Sequence, residues 1–489
     1  MIKDDTIKNK SLKSVKWIAL GMFLPKLITP FITILLAKLL LPSDFGLIAI
    51  CTVFIGAVNL IQGLGLSDYI IKELEVDDSF LSTAFWLNLA LSSLIFFLMW
   101  ILAPVIANIY QEPKISDILP MLGLVVVFNG IGTVHWTLLQ KHMQFKKMFA
   151  IQFLPIFVSI CITLPLAYLN YGVWALVAGE LSKSFLSNAG YVLVGKWVPR
   201  IYFSIFAAKQ MLLFGGWIIV EKLQEFFYSN LDRIILGYYG GVSTLGIYTI
   251  ARQIIYLIYN SINGPISGII YPMLSKLQSE IGTMRKLFFE VSERMMLVNI
   301  PVTFAIAILS YDFIPRFFAA NKWPDLPLLI TIGVLGEVAS RNVWAQRDIF
   351  KLLNRPDLYP KSIIVNLLFA IVFYPLGAIN GLIVFSIVRA LNEWVYAITQ
   401  VILASKILDF RFMQFIRLSF SSLLASIVMV VGIVLTFLTF EVLELRSNII
   451  FIFVVLIVAI TFYFIFFRIY SKDEYKKYWG ELKIIIGLS

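Results

Sequence analysis

Apolar residues run along this chain in blocks of about 20, separated by short polar turns, and that block length predicts its elements. A hydrocarbon core about 30 Å thick is crossed by about 20 apolar residues of helix. By that ruler spans are expected near residues 17–38, 45–66, 80–107, 117–139, 148–169, 172–195, 210–229 and 244–270. Six more follow near 287–310, 325–348, 361–379, 381–404, 416–440 and 448–468. Turn signals at Pro42-Ser43-Asp44, Glu112-Pro113, Asn170-Tyr171-Gly172, Gly240-Gly241, Arg355-Pro356 and Asn380-Gly381 separate many of them. The seventh span is the least continuous, because Glu221, Lys222 and Glu225 interrupt it. The expectation is an all-α polytopic membrane protein with fourteen transmembrane helices.

Composition agrees with that reading. Of 489 residues 60% are hydrophobic and 14% charged, a balance foreign to a soluble domain of this size. The net charge of +11 raises nucleic acid as a partner, but the basic residues recur in short loops rather than on one face. With the N-terminus inside, 27 Lys and Arg fall in inside segments and 6 in outside loops. The positive-inside rule therefore places both termini in the cytoplasm. The basic start (Lys3, Lys8, Lys10, Lys13, Lys16) leads into a span too long for a signal peptide, and reads as an uncleaved first helix. Loops of at most about 16 residues leave no room for a folded outer domain. Cys51 and Cys161 lie in apolar runs as small core residues, and no spacing of Cys, His and Asp suggests a metal site. No phosphate-gripping glycine loop is present, so direct use of ATP is not expected. The tail from Tyr470, alternating charged and aromatic residues, is expected to lie on the inner membrane surface.

A weak internal repeat adds architecture. Ser43-Asp44-Phe45-Gly46-Leu47-Ile48-Ala49-Ile50 opens the second span, and Ser243-Thr244-Leu245-Gly246-Ile247-Tyr248-Thr249-Ile250 opens the eighth. Six helices separate them, an even number, so both halves share one orientation about an axis along the membrane normal. The chain then divides into an N-terminal lobe (1–204), a C-terminal lobe (205–410), an appended helix pair (411–470) and a cytoplasmic tail (471–489). The two lobes carry six helices each, related by a pseudo-two-fold axis.

Leu41-Pro42-Ser43-Asp44-Phe45-Gly46-Leu47, Asp68-Tyr69-Ile70-Ile71-Lys72 and Ser82-Thr83-Ala84-Phe85-Trp86-Leu87-Asn88 resemble the polysaccharide transporter family of lipid-linked oligosaccharide flippases. Asn230-Leu231-Asp232-Arg233-Ile234-Ile235-Leu236-Gly237, followed by Leu245-Gly246-Ile247-Tyr248 and Ala251-Arg252, looks like the same family. That family belongs to the multidrug/oligosaccharidyl-lipid/polysaccharide exporter superfamily. The resemblance implies two lobes around a central cavity, alternating access and an undecaprenyl-diphosphate-linked oligosaccharide as cargo. It also implies a setting in the bacterial cytoplasmic membrane. The expected surroundings are membrane lipids, with a polysaccharide polymerase and glycosyltransferases of the same pathway as candidate partners.

Such a cargo needs cations at membrane depth, where ionisable groups are costly and mark a transport path. Lys26 lies mid-span between Pro25 and Pro30, with Thr29 and Thr33 on its face. Arg252 shares a helical face with Tyr256, Tyr259 and Asn263, and its planar fork suits a diphosphate. Neither has an opposite charge one turn away on its own helix, so these two lead the substrate-binding candidates. Arg341 and Arg389 follow, each with a glutamate at i,i+4 spacing, Glu337 and Glu393. Both pairs also read as internal salt bridges, as Glu180 with Lys183 does. Glu221 and Glu225 repel at i,i+4 unless a proton or cation intervenes. With Glu337 and Glu393 they are the candidates for coupling to H+ or Na+; no other cofactor is expected. Tyr256, Tyr259 and Tyr396 are candidates to stack on sugar rings.

Two other functions compete. A multidrug or organic-cation antiporter of the same superfamily would favour an acidic cavity, against the basic bias here. A membrane glycosyltransferase or polymerase would need an outer loop of a size this chain lacks. The chain reads as a transporter and not as an enzyme.

Overall fold

In lipid every backbone polar group must be satisfied within the chain, and uninterrupted apolar runs therefore fold as helices. The computed structural model describes residues 28, 31–62, 67, 70–71, 77–275, 281–319, 321–343, 346–353, 355, 357–442 and 449–470. Its helices are α1 (31–39), α2 (Pro42–Gln62), α3 (Asp78–Ile109), α4 (Ile115–Lys141), α5 (Phe145–Tyr168) and α6 (Val173–Gly195). They continue with α7 (Ile205–Ser275), α8 (Ile281–Phe317), α9 (Leu326–Arg341), α10 (Gln346–Leu352) and α11 (Leu358–Ile379). α12 (Leu382–Leu408), α13 (Phe412–Arg417), α14 (Phe420–Val442) and α15 (Ile449–Tyr470) complete the order. Among the described residues eight helices are long and apolar enough to cross a membrane, and two shorter apolar segments lie within α2 and α15. The protein is an all-helical, multi-pass membrane protein.

Hydroxyl groups inside these helices turn back on their own backbone, which keeps them from being orphaned in lipid. Ser82 donates to Asp78 O at 2.7 Å, Ser92 to Asn88 O at 2.6 Å and Thr133 to Asn129 O at 2.6 Å. Several helices end alike. After α3, Gln111 adopts φ +55°, Glu112 N–H reaches Ala107 O at 2.9 Å and Gln111 N–H reaches Asn108 O at 3.2 Å. That crossed pair is the Schellman closure of a helix C-terminus, and α4 and α5 repeat it at Met143 and Asn170.

One boundary differs from the sequence reading. The seventh span does not stop near residue 229; its helix continues to Gly240 and restarts after Gly241, which adopts φ 75°, ψ 173°. Residues 230–240 contain no Pro and no earlier Gly pair, so nothing ends the helix sooner, whereas Gly241 holds a backbone conformation that essentially only glycine adopts. Asp232 and Arg233, expected in a loop, are helical.

Two compact units divide the chain: Met1–Leu257 with Pro315–Leu326 and Leu367–Val388, and Ile258–Ile314 with Pro327–Asn366 and Arg389–Ser489. The division runs through α7, α8, α11 and α12, away from the lobe boundaries near 204 and 410. In the first unit one core joins α2, α3, α4 and α7 to the ends of α11 and α12 that meet at Gly381. There Tyr248 and Tyr374 pack edge-on against Phe385, at 5.5 and 5.3 Å between ring centroids. In the second unit α8 packs with α14 and α15 through Leu309, Met429, Ile433, Phe451 and Val455.

The two copies of the repeat meet inside the first unit. A β-carbon on Gly46 would overlap the carbonyl of Val242, and one on Gly246 would overlap the carbonyl of Pro42. Residues 42 and 46 therefore meet 246 and 242 reciprocally. The tail, 471–489, lies outside the described residues.

Candidate functional site

Among the described residues, charges buried in apolar helices form two clusters, one in each unit. In the second unit the i,i+4 pairs expected on α9 and α12 are present. Arg341 binds Glu337 through Nε and Nη2, each bond at 2.9 Å, and Arg389 Nη1 binds Glu393 Oε1. The structure then joins them, because Arg389 Nη2 lies 3.9 Å from Glu337 Oε1. The result is a chain of alternating charge, Arg341–Glu337–Arg389–Glu393, with side-chain exposure falling from 22% at Arg341 to 5% at Glu393. Backbone proximity explains the junction. A β-carbon on Gly336 would stand 2.6 Å from Ala390 Cα, so the two helices touch at the residues just before Glu337 and just after Arg389.

The same unit holds a set of buried hydrogen bonds. Tyr259 is fully buried; its hydroxyl meets Thr303 Oγ1 at 2.5 Å and donates to Val334 O at 3.1 Å. Its ring lies 6.0 Å beneath the Arg341 guanidinium. Asn263, Asn299 and Asn342 form a buried amide series in which Asn299 Nδ2 donates to Asn263 Oδ1 at 3.3 Å and to Asn342 Oδ1 at 3.0 Å. Tyr259, expected to stack on sugar, has no open ring face. It packs beneath Arg341, and Asn263 is buried within the amide series.

In the first unit Arg252 is held by the buried carboxylate of Asp232, and its Nη1 also donates to Ser229 O at 3.1 Å. Tyr248 donates its hydroxyl to the same carboxylate oxygen, and Arg233 N–H donates to the other at 2.8 Å. The partner that Arg252 lacks on its own turn is supplied from twenty residues back, across the break at Gly241. Asp232, Tyr248, Thr303, Asn299 and Asn342 were not singled out as site residues from the sequence. The available signal for Asp232 was an acid flanked by Leu231 and Ile234-Ile235-Leu236, an apolar setting that a loop would not need.

Tyr256 is 53% exposed and Glu225 is exposed. Lys183 and Glu180 pair locally at 2.8 Å, both about two-fifths exposed. Lys26 lies outside the described residues, as does the side chain of Glu221.

Several known proteins are similar to this chain in sequence or in fold. The lipopolysaccharide biosynthesis protein WzxC of Escherichia coli K12 is 22% identical over 341 residues, covering 68% of this chain and 69% of that one. The teichuronic acid biosynthesis protein TuaB of Bacillus subtilis 168 is 26% identical over 296 residues, covering 58% and 60%. The succinoglycan biosynthesis transport protein ExoT of Rhizobium meliloti is 21% identical, covering 62% and 63%. Among solved structures the fold is similar to the lipid II flippase MurJ in an inward closed conformation, with a TM-score of 0.73 at 14% identity over 93% of this chain and 98% of that one. An inward-facing multidrug transporter of the MATE family aligns with a TM-score of 0.62 at 13% identity, over 83% and 98%. A family model described as polysaccharide biosynthesis protein matches residues 35–326, more than half of the chain, and the chain belongs to that family.

Proposed function

We propose that this protein is a flippase, a transporter and not a catalyst, that carries an undecaprenyl-diphosphate-linked oligosaccharide from the inner to the outer face of the bacterial cytoplasmic membrane. The observation that carries the reading is the buried chain Arg341–Glu337–Arg389–Glu393 in apolar helices. Buried ionisable groups at membrane depth are expensive and mark a path for charged cargo. Arginine forks match phosphate oxygens in two-point geometry. WzxC, TuaB and ExoT are named for the biosynthesis of lipopolysaccharide and teichuronic acid and for succinoglycan biosynthesis transport, and MurJ is named a lipid II flippase.

In this reading Glu337 and Glu393 are stand-in anions. They neutralise Arg341 and Arg389 while no cargo is bound and yield them to the diphosphate when it enters. An inside-negative potential then favours outward movement of the anionic cargo. The empty carrier returns with its arginines refilled. A proton or sodium ion carried inward on Glu337 or Glu393 would couple that return to an ion gradient, with Glu221 and Glu225 as further coupling candidates. Arg252 and Lys26 are further candidates to meet the diphosphate, and Tyr256 is a candidate to stack on a sugar ring.

The architecture proposed for this cycle has fourteen spans, both termini in the cytoplasm and two six-helix lobes that alternate in access. The 27-to-6 split of basic residues supports that orientation, and the reciprocal contact at Gly46 and Gly246 supports the two-fold relation. With that orientation α2 and the second half of α7 begin at the outer face, so the contact closes the outer side.

Proteoliposomes loaded with labelled lipid-linked oligosaccharide test the reading. Transport is expected from wild type, and a loss of about tenfold or more from Arg341→Ala or Arg389→Ala, the size of one lost charge-assisted hydrogen bond or more. Wild-type rates in both variants would remove the charge chain from the cargo path.

A further inference from the structure

The charge chain ends at Glu393, whose side chain is 5% exposed. On the topology proposed above, Glu393 stands about 22 Å of helix from the inner end of α12 at Leu408. Acids at that depth trade protons with the surface through relays of polar side chains. α12 carries such groups on one face: Arg389, Glu393, Tyr396 and Gln400 follow at steps of four, three and four residues. Tyr396 lies within electrostatic reach of Glu393, and its hydroxyl shares hydrogen bonds with Tyr359 of α11 and with Gln400. Gln400 is itself fixed. Its Nε2 donates to Ser362 Oγ at 2.7 Å, and Ser362 donates to Tyr359 O at 2.7 Å. Beside this file Asn366 Nδ2 donates to Asn392 O at 3.0 Å and Asn392 Nδ2 to Asn366 Oδ1 at 3.3 Å, which ties α11 to α12. Ser362, Asn366, Asn392 and Gln400 are all buried.

The file reaches the surface at Tyr359. That residue is half-buried, is the second of α11, and lies between Asp357 and Lys361, whose side chains are 42% and 63% exposed. Chemistry then selects the ion. A phenol hydroxyl both donates and accepts, so it can take a proton on oxygen and release its own. Sodium would need these oxygens to leave one another and gather around it, whereas a proton needs them to stay in line. The charged and titratable groups around Glu393 among the described residues are Arg389 on α12, Glu337 and Arg341 on α9, and the phenols Tyr396 and Tyr359.

We propose that Tyr396 and Tyr359 form the inner exit of a proton path from Glu393, so that the ion coupled to transport is H+ and leaves on the cytoplasmic side. The proposal deepens the transport reading above and rests on it for the direction of travel. A proton carried inward on the Glu393 carboxyl passes to the Tyr396 oxygen as Tyr396 gives its own to Tyr359, and Tyr359 gives its own to water. Each phenol ends with one proton, and Glu393 is left as the carboxylate that pairs with Arg389. Gln400 is a positioning residue, holding the Tyr396 hydroxyl in line.

The first test reads proton movement without cargo. Purified full-length protein in detergent is followed by time-resolved infrared spectroscopy after a jump in pH, the protonated-carboxyl band of Glu393 being identified by its loss in Glu393→Gln. Tyr396→Phe and Tyr359→Phe should each slow the change in that band about tenfold or more while leaving its final size unchanged. Tyr374→Phe removes a buried phenol of α11 in the first unit, outside the file, and should match wild type. Wild-type rates in both relay variants would overturn the proposal, as would equal slowing by Tyr374→Phe or the lack of a Glu393 band at any pH. A second arm measures flipping of labelled lipid-linked oligosaccharide in proteoliposomes under a proton or a sodium gradient directed against the cargo. The proton gradient should speed wild type and have little effect on the two relay variants; a response to sodium alone would overturn the proposal. The infrared arm contains no cargo, so its failure and failure of the transport reading are told apart.

Discussion

A β-carbon placed on Gly246 would stand 3.1 Å from the backbone nitrogen of Gly46 and 2.6 Å from the carbonyl carbon of Pro42. The relation is mutual, since a β-carbon on Gly46 would stand 2.6 Å from the carbonyl carbon of Val242. Two helices approach this closely only where side chains are absent. Gly46→Ala and Gly246→Ala should therefore each force the backbones apart, at a cost of about 1–3 kcal/mol, the range for overpacking a tight contact. Thermal unfolding of the two variants in detergent checks this, with similar losses expected at the two reciprocal sites. If the contact closes the outer side during transport, both should also raise the accessibility of outer-cavity positions to a membrane-impermeant thiol reagent.

Asp232 is the buried counter-ion of Arg252. Asp232→Ala leaves the guanidinium without its carboxylate and should cost about 3–5 kcal/mol, as breaking a buried pair from one side does. The Asp232→Ala/Arg252→Ala double variant should be less destabilised than the sum of the singles, because no uncompensated charge remains. A double-mutant cycle on thermal unfolding measures the difference, and strict additivity would show that the pair is not coupled.

Glu337 is shared by two arginines, which makes its neutralisation informative. Glu337→Gln removes the anion that refills Arg341 and Arg389 in the empty carrier. Cargo binding should be retained or tightened while turnover falls about tenfold or more, whereas Arg341→Ala should weaken binding itself. Reconstituted transport at varied cargo concentration separates the two effects. Equal loss of binding in both variants would contradict the stand-in role.

Asp357, on the short connection between α10 and α11, accepts from Arg355 at 3.0 Å and from Lys361 at 2.6 Å. These hydrogen bonds, Arg355 first, hold its carboxyl well below the usual range. A depressed carboxylate contributes stability above its unfolded value, and that contribution is lost as pH falls through the folded value. Both partners are exposed, so the effect is small. Asp357→Asn should lower the melting temperature slightly near pH 7, and the difference should vanish in strong acid, where wild type is protonated too.

How legible the site was depended on the distance along the chain between its members. Glu337 with Arg341, and Arg389 with Glu393, lie four residues apart on their own helices, and helical geometry pairs them wherever the helices pack. Their fusion through Glu337 and Arg389 was not legible, because it follows from the contact of Gly336 with Ala390, 54 residues on. Tyr259 and Asn263 showed only that they share a face with Arg252. Whether that face meets a cavity or a neighbouring helix is a packing question, and burial against Thr303 and Val334 answered it. Asp232 is not legible as a helical counter-ion because a span of about 20 residues ends near 229, some ten residues before the helix breaks at Gly241.

The succession of apolar helices, the position of most turns and the presence of charge inside those helices are all consequences of local composition. A bilayer admits few ways to bury an apolar block, so the sequence by itself determined them. Which charge meets which was decided by tertiary packing. A guanidinium and a carboxylate couple through space over a few ångströms, and only folding brings Asp232 to Arg252, Glu337 to Arg389, and Gly46 to Gly246.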